Sequence, residues 1–212
     1  MRYTIGIDEV GRGPLAGPVV VAALKISNKF KYSKKQLGIL KDSKRLSHTR
    51  RKKWVEYLKT NPHIEYTIGR AYPVTIDRIN IARAANRAAH SAFVRLCAMR
   101  ANKSTKNGRE IIKINKLSKL HKIFLDGGLY IKNKENSQKI GAKTIIRGDE
   151  KIKAIALASI IAKENRDQLM VRLAKKYPGY GFEIHKGYGT RLHYRRIKKL
   201  GPSIVHRLTF LS

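Results

Sequence analysis

Four carboxylates stand out because of where they sit. Asp8 and Glu9 are adjacent and follow an alternating run, Tyr3-Thr4-Ile5-Gly6-Ile7. Asp126 follows residues 122–125 and precedes two glycines, Gly127 and Gly128. Asp149 follows residues 143–146 through Arg147-Gly148. Strand ends beside glycine turns offer hard divalent cations the anionic oxygens they need and let a backbone come close to a ligand. Taken singly, each acid has an ordinary reading, since turns attract Asp and Gly and Asp149 can cap a helix. Together they say more, because the chain holds only 14 Asp and Glu in 212 residues. If their strands are parallel, all four reach one sheet edge, where converging like charges need a cation between them. Two divalent ions about 3.5–4 Å apart, one activating water and one stabilising the leaving oxygen, are the usual arrangement in phosphodiester hydrolysis.

The elements that must position these acids follow from periodicity. Residues 3–7 alternate with period two, and the apolar run 18–24 reads as the returning strand of a hairpin turned through Gly11, Arg12, Gly13 and Pro14. After a polar connection over 27–46, Ser47 caps a helix with Trp54, Val55 and Leu58 on its apolar stripe, stopped by Asn61-Pro62. Residues 64–72 alternate again as a third strand. One helix is expected over 73–99, with Ile76, Ile79, Ala82, Ala85 and Ala89 facing the core. Residues 100–120 and 130–141 read as basic surface loops, the first with a short strand at 111–114. Residues 122–125 and 143–146 are the fourth and fifth strands. A helix opens at Asp149 and runs to Lys176; its middle, AIALASIIA, is apolar nearly all round and must be buried. A turn over 177–181, the segment HKGYGT, a basic helix over 190–200 and RLTFLS close the chain. Early strands followed by helices make an α+β or mixed-sheet pattern, not a pure βαβ repeat.

The chain is 42% hydrophobic, enough for a core, and no Gly/Ser/Pro-rich linker divides it. Its 47 Lys and Arg leave a formal net charge of +33. A charge that large repels itself, and its natural counterweight is a polyanion such as nucleic acid; a basic bias across the source proteome is the plainer alternative. Cys97 is the single cysteine, so no internal disulfide forms, and its setting is that of a small core residue. Asp8 and Glu9 interrupt any signal-peptide apolar region, and the longest apolar run, 15–24, is too short for a bilayer. A soluble, cytoplasmic protein is expected. Acids do not attract phosphate by themselves; bound metal must invert their charge locally. A basic chain with an acidic, metal-binding pit therefore reads as a nuclease.

IGIDEVGRGPLAGPVVVAA, KDSKRLS, FLDGG, IIRGD, ALASIIAKENRD and GFEIHKGYGTRLH resemble, in order and spacing, the motifs of bacterial ribonuclease HII, the type 2 ribonuclease H. The resemblance spans residues 3–210. It implies the ribonuclease H-like fold: an α/β, five-stranded mixed sheet flanked by helices over 1–176, with a small helical C-terminal appendage over 177–212 completing the substrate site. It implies a monomeric endonuclease that uses Mg²⁺ or Mn²⁺ on RNA–DNA hybrids and on single ribonucleotides in duplex DNA, leaving a 5′-phosphate and a 3′-hydroxyl. The family's metal-binding, catalytic acids fall on Asp8, Glu9, Asp126 and Asp149. Gly11, Arg12 and Gly13 match the loop that senses the ribose 2′-hydroxyl through its backbone, and the 2′-hydroxyl is what separates RNA from DNA. Tyr188 matches the tyrosine that packs on the deoxyribose after the junction. Lys44, Lys163 and Lys186 match phosphate-contact positions. Asp167, four residues after Lys163, reads as a structural ion-pair partner, and Asp42 as local support.

The sequence departs from the family in longer basic loops and in arginine at 147 and 45 where lysine is usual. These bear on substrate affinity and leave every metal ligand in place. The competing readings are a basic RNA-binding protein of ribosomal or chaperone kind, which the ordered acids argue against, and a junction resolvase or ribonuclease HIII on the same fold. A resolvase has no evident use for GRG and HKGYGT, and ribonuclease HIII normally carries an extra N-terminal domain.

Overall fold

β1 (Tyr3–Val10) lies at the centre of a five-stranded sheet of order β3-β2-β1-β4-β5, with β2 (Val19–Ser27), β3 (Ile64–Ala71), β4 (His121–Asp126) and β5 (Ala142–Ile145). The computed structural model describes residues 3–38, 40, 46–99, 121–132 and 134–211. The expected strand at 111–114, its basic loop, Asp42, Lys44 and Arg45 lie outside them. β1 pairs antiparallel with β2 and β2 with β3, whereas β1–β4 and β4–β5 are parallel. The sheet is therefore mixed, and the C-terminal ends of β1, β4 and β5 share one edge. In open α/β sheets that edge is where ligands bind.

Helices cover both faces. They are α1 (Lys34–Leu37), α2 (His48–Thr60), α3 (Pro73–Ile79), α4 (Ile81–Ala98), α5 (Lys134–Lys139), α6 (Gly148–Lys151), α7 (Lys153–Lys176), α8 (Phe182–His185) and α9 (Arg191–Leu200), followed by a 3₁₀ turn, Leu208–Phe210. On one face Ile5, Ile7, Val21 and Leu125 pack against Ala85, Ala89 and Phe93 of α4. On the other, Ala22 and Leu24 meet Trp54 and Leu58 of α2 and Leu157, Ala158 and Ile161 of α7. Because both faces are covered, β2 is buried at every position, as its unbroken apolar run requires. Each large apolar side chain buried this way contributes about 1.5–3 kcal/mol of transfer free energy. The approach of α7 to β1 is close enough that a Cβ on Gly6 would lie 2.2 Å from the Ala154 carbonyl carbon.

Three expected elements differ. The helix expected over 73–99 breaks at Asn80, whose φ of 63° is left-handed and whose side-chain oxygen accepts from the Arg83 N–H at 3.0 Å. The break shifts the helical phase, so Ala84 and Ala88 are buried and Ala82 is exposed. The helix expected from Asp149 to Lys176 is interrupted at the extended residue Ile152, which separates α6 from α7. Residues 130–141 are not a plain loop: they hold α5, tied down by Ser137, whose hydroxyl accepts from the Ile131 N–H at 2.7 Å. Cys97, on α4, is only partly buried where it packs against the core, and burial lifts its thiol pKa to about 11. No helix among the described residues is long and apolar enough to cross a membrane.

Candidate active site

Ile7 of β1 is paired with Leu125 of β4, so Asp8 and Asp126 come next on adjacent parallel strands. Carboxylate oxygens of Asp8, Glu9 and Asp126 lie within 4.8 Å of one another. Asp8 is buried at 4% exposure. Burial, followed by the charges of Glu9 and Asp126, holds its pKa well above the ordinary value, against a hydrogen bond from Ser159 that favours the anion. Glu9 is also raised by burial, with Arg12 opposing through an ion pair of 3.1 Å. The second oxygen of Glu9, Oε2, is buried with no hydrogen-bond partner. Asp126 is oriented by the Gly148 N–H, which donates to Oδ1 at 2.6 Å.

This cluster forms the floor of a cavity of about 490 Å³ that Asp149 also lines, from the first turn of α6. Asp149 is not among the three acids whose oxygens meet. Gly11, Arg12, Gly13, Lys163 and Tyr188 line the same cavity. Tyr188 is 40% exposed, and its backbone is held by the His185 carbonyl, which accepts from the Tyr188 N–H at 3.0 Å. Lys163 pairs with Asp167 at 2.7 Å, and Arg51 reaches the other oxygen of Asp167 at 3.2 Å. Lys186 does not join this cavity. It borders a neighbouring one of about 700 Å³, and its ammonium folds back onto the Glu183 carbonyl. Lys44 lies outside the described residues.

Two cavity residues, Arg51 and Ser159, are not among the site residues expected from the sequence. Arg51 sits in the basic run His48–Thr60, where it looks like one more solvated charge; in the fold it is buried and donates to the Leu46 carbonyl at 2.6 Å. Ser159 did carry a signal, as the single hydroxyl within AIALASIIA.

An orphaned buried carboxylate oxygen among mutually repelling acids, all offering hard oxygen donors, fits a divalent cation. A mixed sheet that gathers such donors at the edge shared by three parallel strand ends defines a nuclease of ribonuclease H type. The family model for ribonuclease HII matches residues 5–212. The chain belongs to the ribonuclease HII family and is a ribonuclease H enzyme. A ribonuclease HII from Treponema denticola is 36% identical over 205 residues, covering 97% of this chain and 96% of its own. The fold resembles that of the ribonuclease HII in a PCNA complex from Archaeoglobus fulgidus, with a TM-score of 0.62 and 24% identity over 97% of this chain and 93% of that one. It also resembles Bst-RNase HIII in complex with Mn²⁺, with a TM-score of 0.66 and 18% identity over 98% of this chain and 66% of that one.

Proposed function

We propose that this enzyme cuts the RNA strand of RNA–DNA hybrids and cuts 5′ to single ribonucleotides in duplex DNA, leaving 5′-phosphate and 3′-hydroxyl ends. The observation that carries the reading is a single cavity shared by the acid cluster, Gly11, Arg12, Gly13 and Tyr188. Asp8, Glu9, Asp126 and Asp149 hold two divalent cations, Mg²⁺ or Mn²⁺, which when bound supply a nucleophilic water and stabilise the leaving oxygen. Metal affinity then depends on how the chain orients its carboxylates, through Gly148 at Asp126 and Ser159 at Asp8. The 11–13 backbone reads the ribose 2′-hydroxyl, which both donates and accepts. Tyr188 packs on the following deoxyribose, where a further hydroxyl would crowd it. Lys163 contacts a backbone phosphate and thereby positions the strand.

Residues 177–212 act as an appendage that completes this site rather than as a separate unit. The Leu15 and Gly17 N–H groups donate to the Gly187 and Val205 carbonyls, each at 2.8 Å, which supports that role. The enzyme acts as a cytoplasmic monomer in the excision of misincorporated ribonucleotides, and the net charge of +33 draws it to duplexes. An end-labelled duplex carrying one ribonucleotide tests the reading. Incubation with Mg²⁺ or Mn²⁺ gives one cut on the 5′ side of that nucleotide, EDTA abolishes it, and an all-DNA duplex stays intact. Cleavage that persists in EDTA, or that ignores the ribonucleotide, overturns it.

A further inference from the structure

Two buried arginines take no part in the chemistry above. Arg166 on α7 and Arg207 near the C-terminus are each 0% exposed, and neither forms an ion pair among the described residues. A guanidinium buried without a carboxylate is expensive unless its donors are satisfied in another way. Here the acceptors are backbone carbonyls. Arg207 donates to Gly11 O at 2.6 Å, Arg12 O at 2.7 Å and Gly17 O at 3.0 Å. Arg166 donates to Pro18 O at 3.0 Å, Ala16 O at 3.1 Å and Lys186 O at 2.9 Å. Five of these six carbonyls belong to the 11–18 loop, and the sixth lies two residues before Tyr188.

The glycine pattern fits this clamp. Gly11 has φ +88°, and a Cβ there would lie 2.2 Å from Arg166 Nε, whereas a Cβ on Gly13 would meet nothing within 4 Å. The first glycine admits the arginine; the second faces open space. Because a trans peptide points its N–H opposite its carbonyl, pinning Gly11 O and Arg12 O against Arg207 turns the N–H groups of Arg12 and Gly13 to the other side of the loop. Neither of those N–H groups has a partner among the described residues. The Arg166 guanidinium also lies 5.7 Å from the centroid of the Tyr188 ring, so one side chain touches both the loop and the tyrosine segment.

We propose that Arg166 and Arg207 are the positioning residues for sugar selection. Arg207 presents the Arg12 and Gly13 N–H groups to the substrate, and Arg166 sets the spacing between that loop and Tyr188. The inference rests on the reading that this loop senses the ribose. Lysine in place of either arginine keeps the charge but lacks the planar fork that reaches three carbonyls. A milder handle exists at Asp77, whose carboxylate accepts from the Leu208 N–H at 3.0 Å, the Thr209 N–H at 3.2 Å and the Thr209 hydroxyl at 2.6 Å. It fastens the residues next to Arg207, forms no hydrogen bond to the arginine and does not line the cavity, although its charge does act on the guanidinium.

The experiment compares wild type with Arg207→Lys, Arg166→Lys and Asp77→Ala. It measures single-turnover cleavage of duplexes with one or no ribonucleotide, Mn²⁺ affinity of the free protein, and amide hydrogen exchange over 11–17. Arg207→Lys is expected to slow cleavage at the ribonucleotide by about 100-fold, the scale of a small misplacement. Exchange in the loop rises and Mn²⁺ affinity is unchanged. Asp77→Ala shifts the same readouts in the same direction by about 10-fold or less, and decides the matter if either arginine variant fails to fold. A purely structural role would lower stability and Mn²⁺ affinity together and leave the loop's exchange and the ribonucleotide selectivity as they were; that result overturns the inference. If wild type itself ignores the ribonucleotide, the reading of the loop as a sugar sensor falls, while loop exchange in the variants still decides whether the arginines position it.

Discussion

On one wall of the cavity, Asp8, Glu9 and Asp126 bring like charges to within 4.8 Å of one another. On the other, Arg166 and Arg207 bury two charges of the opposite sign behind the 11–18 loop. The acids are fixed by the sheet itself, whose parallel register sets their spacing before any side-chain contact forms, and their repulsion is left unresolved. The arginines are resolved completely, by six carbonyls and two aromatic faces. The difference separates two kinds of preorganisation. A wall that must take up a cation keeps its charge in want of a partner; a wall that must hold a shape gives each guanidinium nitrogen an acceptor.

The sharpest way to break this contrast is at the acid wall. Asp8→Asn removes one of the repelling carboxylates and one of the proposed metal ligands while keeping the shape of the side chain. Cleavage of the one-ribonucleotide duplex is expected to fall by at least about 1,000-fold, the scale of losing a metal-held nucleophile. The metal-free protein should unfold at the same or a higher urea concentration than wild type, because burial and its neighbours already disfavour the Asp8 anion. Turnover like that of wild type would remove Asp8 from the site. A large loss of stability would mean that the acids are held by mutual support instead of by the sheet.

A smaller effect is expected where the two walls meet the substrate together. Tyr188 is 40% exposed, and its ring lies against Arg166. Tyr188→Ala removes the plate on which a sugar would rest and leaves the acids alone. Single-turnover cleavage at an isolated ribonucleotide should drop by roughly 10- to 100-fold through lost orientation, with less loss on a duplex carrying four ribonucleotides. Equal loss on both duplexes would show that the ring serves binding in general and does not sense the junction.

The acid wall was legible in the chain because it obeys local rules. Alternation at residues 3–7, apolar runs before Asp126 and Asp149, and glycines after them are all short-range signals, and parallel pairing brings three of their strand ends to one edge. The arginine wall was not legible. In a chain with 47 Lys and Arg, one more arginine reads as a solvated charge, and only the fold shows carbonyls from residues about 150 and 195 positions away in sequence closing around Arg166 and Arg207. Lys186 borders the neighbouring cavity instead of this one for a related reason. HKGYGT names the residue but not its left-handed backbone, φ 53°, with which the ammonium folds back onto the Glu183 carbonyl. The break at Asn80 escaped because Ala and Arg continue the helical pattern on both sides, and a single left-handed residue leaves no mark on composition.

The smallest expected effect concerns what lies behind Tyr188. His185, His193 and His206 form a buried cluster in which each ring nitrogen has a defined task. The Ser203 N–H donates to His206 Nδ1 at 2.9 Å, so His206 carries its proton on Nε2 and donates it to His193 Nε2 at 3.1 Å. His193 then carries its own proton on Nδ1, which donates to the Tyr188 carbonyl at 3.0 Å. The Gly187 N–H donates to His185 Nδ1 at 3.1 Å, leaving His185 Nε2–H for the Tyr180 carbonyl at 2.9 Å. A second proton on His193 Nε2 or His206 Nδ1 would break the bond that nitrogen accepts. Burial, with His185 and then His206 adding repulsion, lowers His193 to about 4; burial also lowers His206. The unfolded chain takes up these protons near pH 6.5. The folded protein binds fewer protons than the unfolded chain between those values, so stability is complete above about pH 6.5 and is lost as the pH falls towards 4. For His193 alone the loss reaches on the order of 2–3 kcal/mol at the acid end of that window. Urea unfolding at pH 7.5 and pH 5 in EDTA should show it. His193→Asn, whose amide N–H can replace the donor to Tyr188, should be somewhat less stable at pH 7.5 and should narrow the difference between the two pH values. If the variant keeps the full wild-type difference, His193 is not its source.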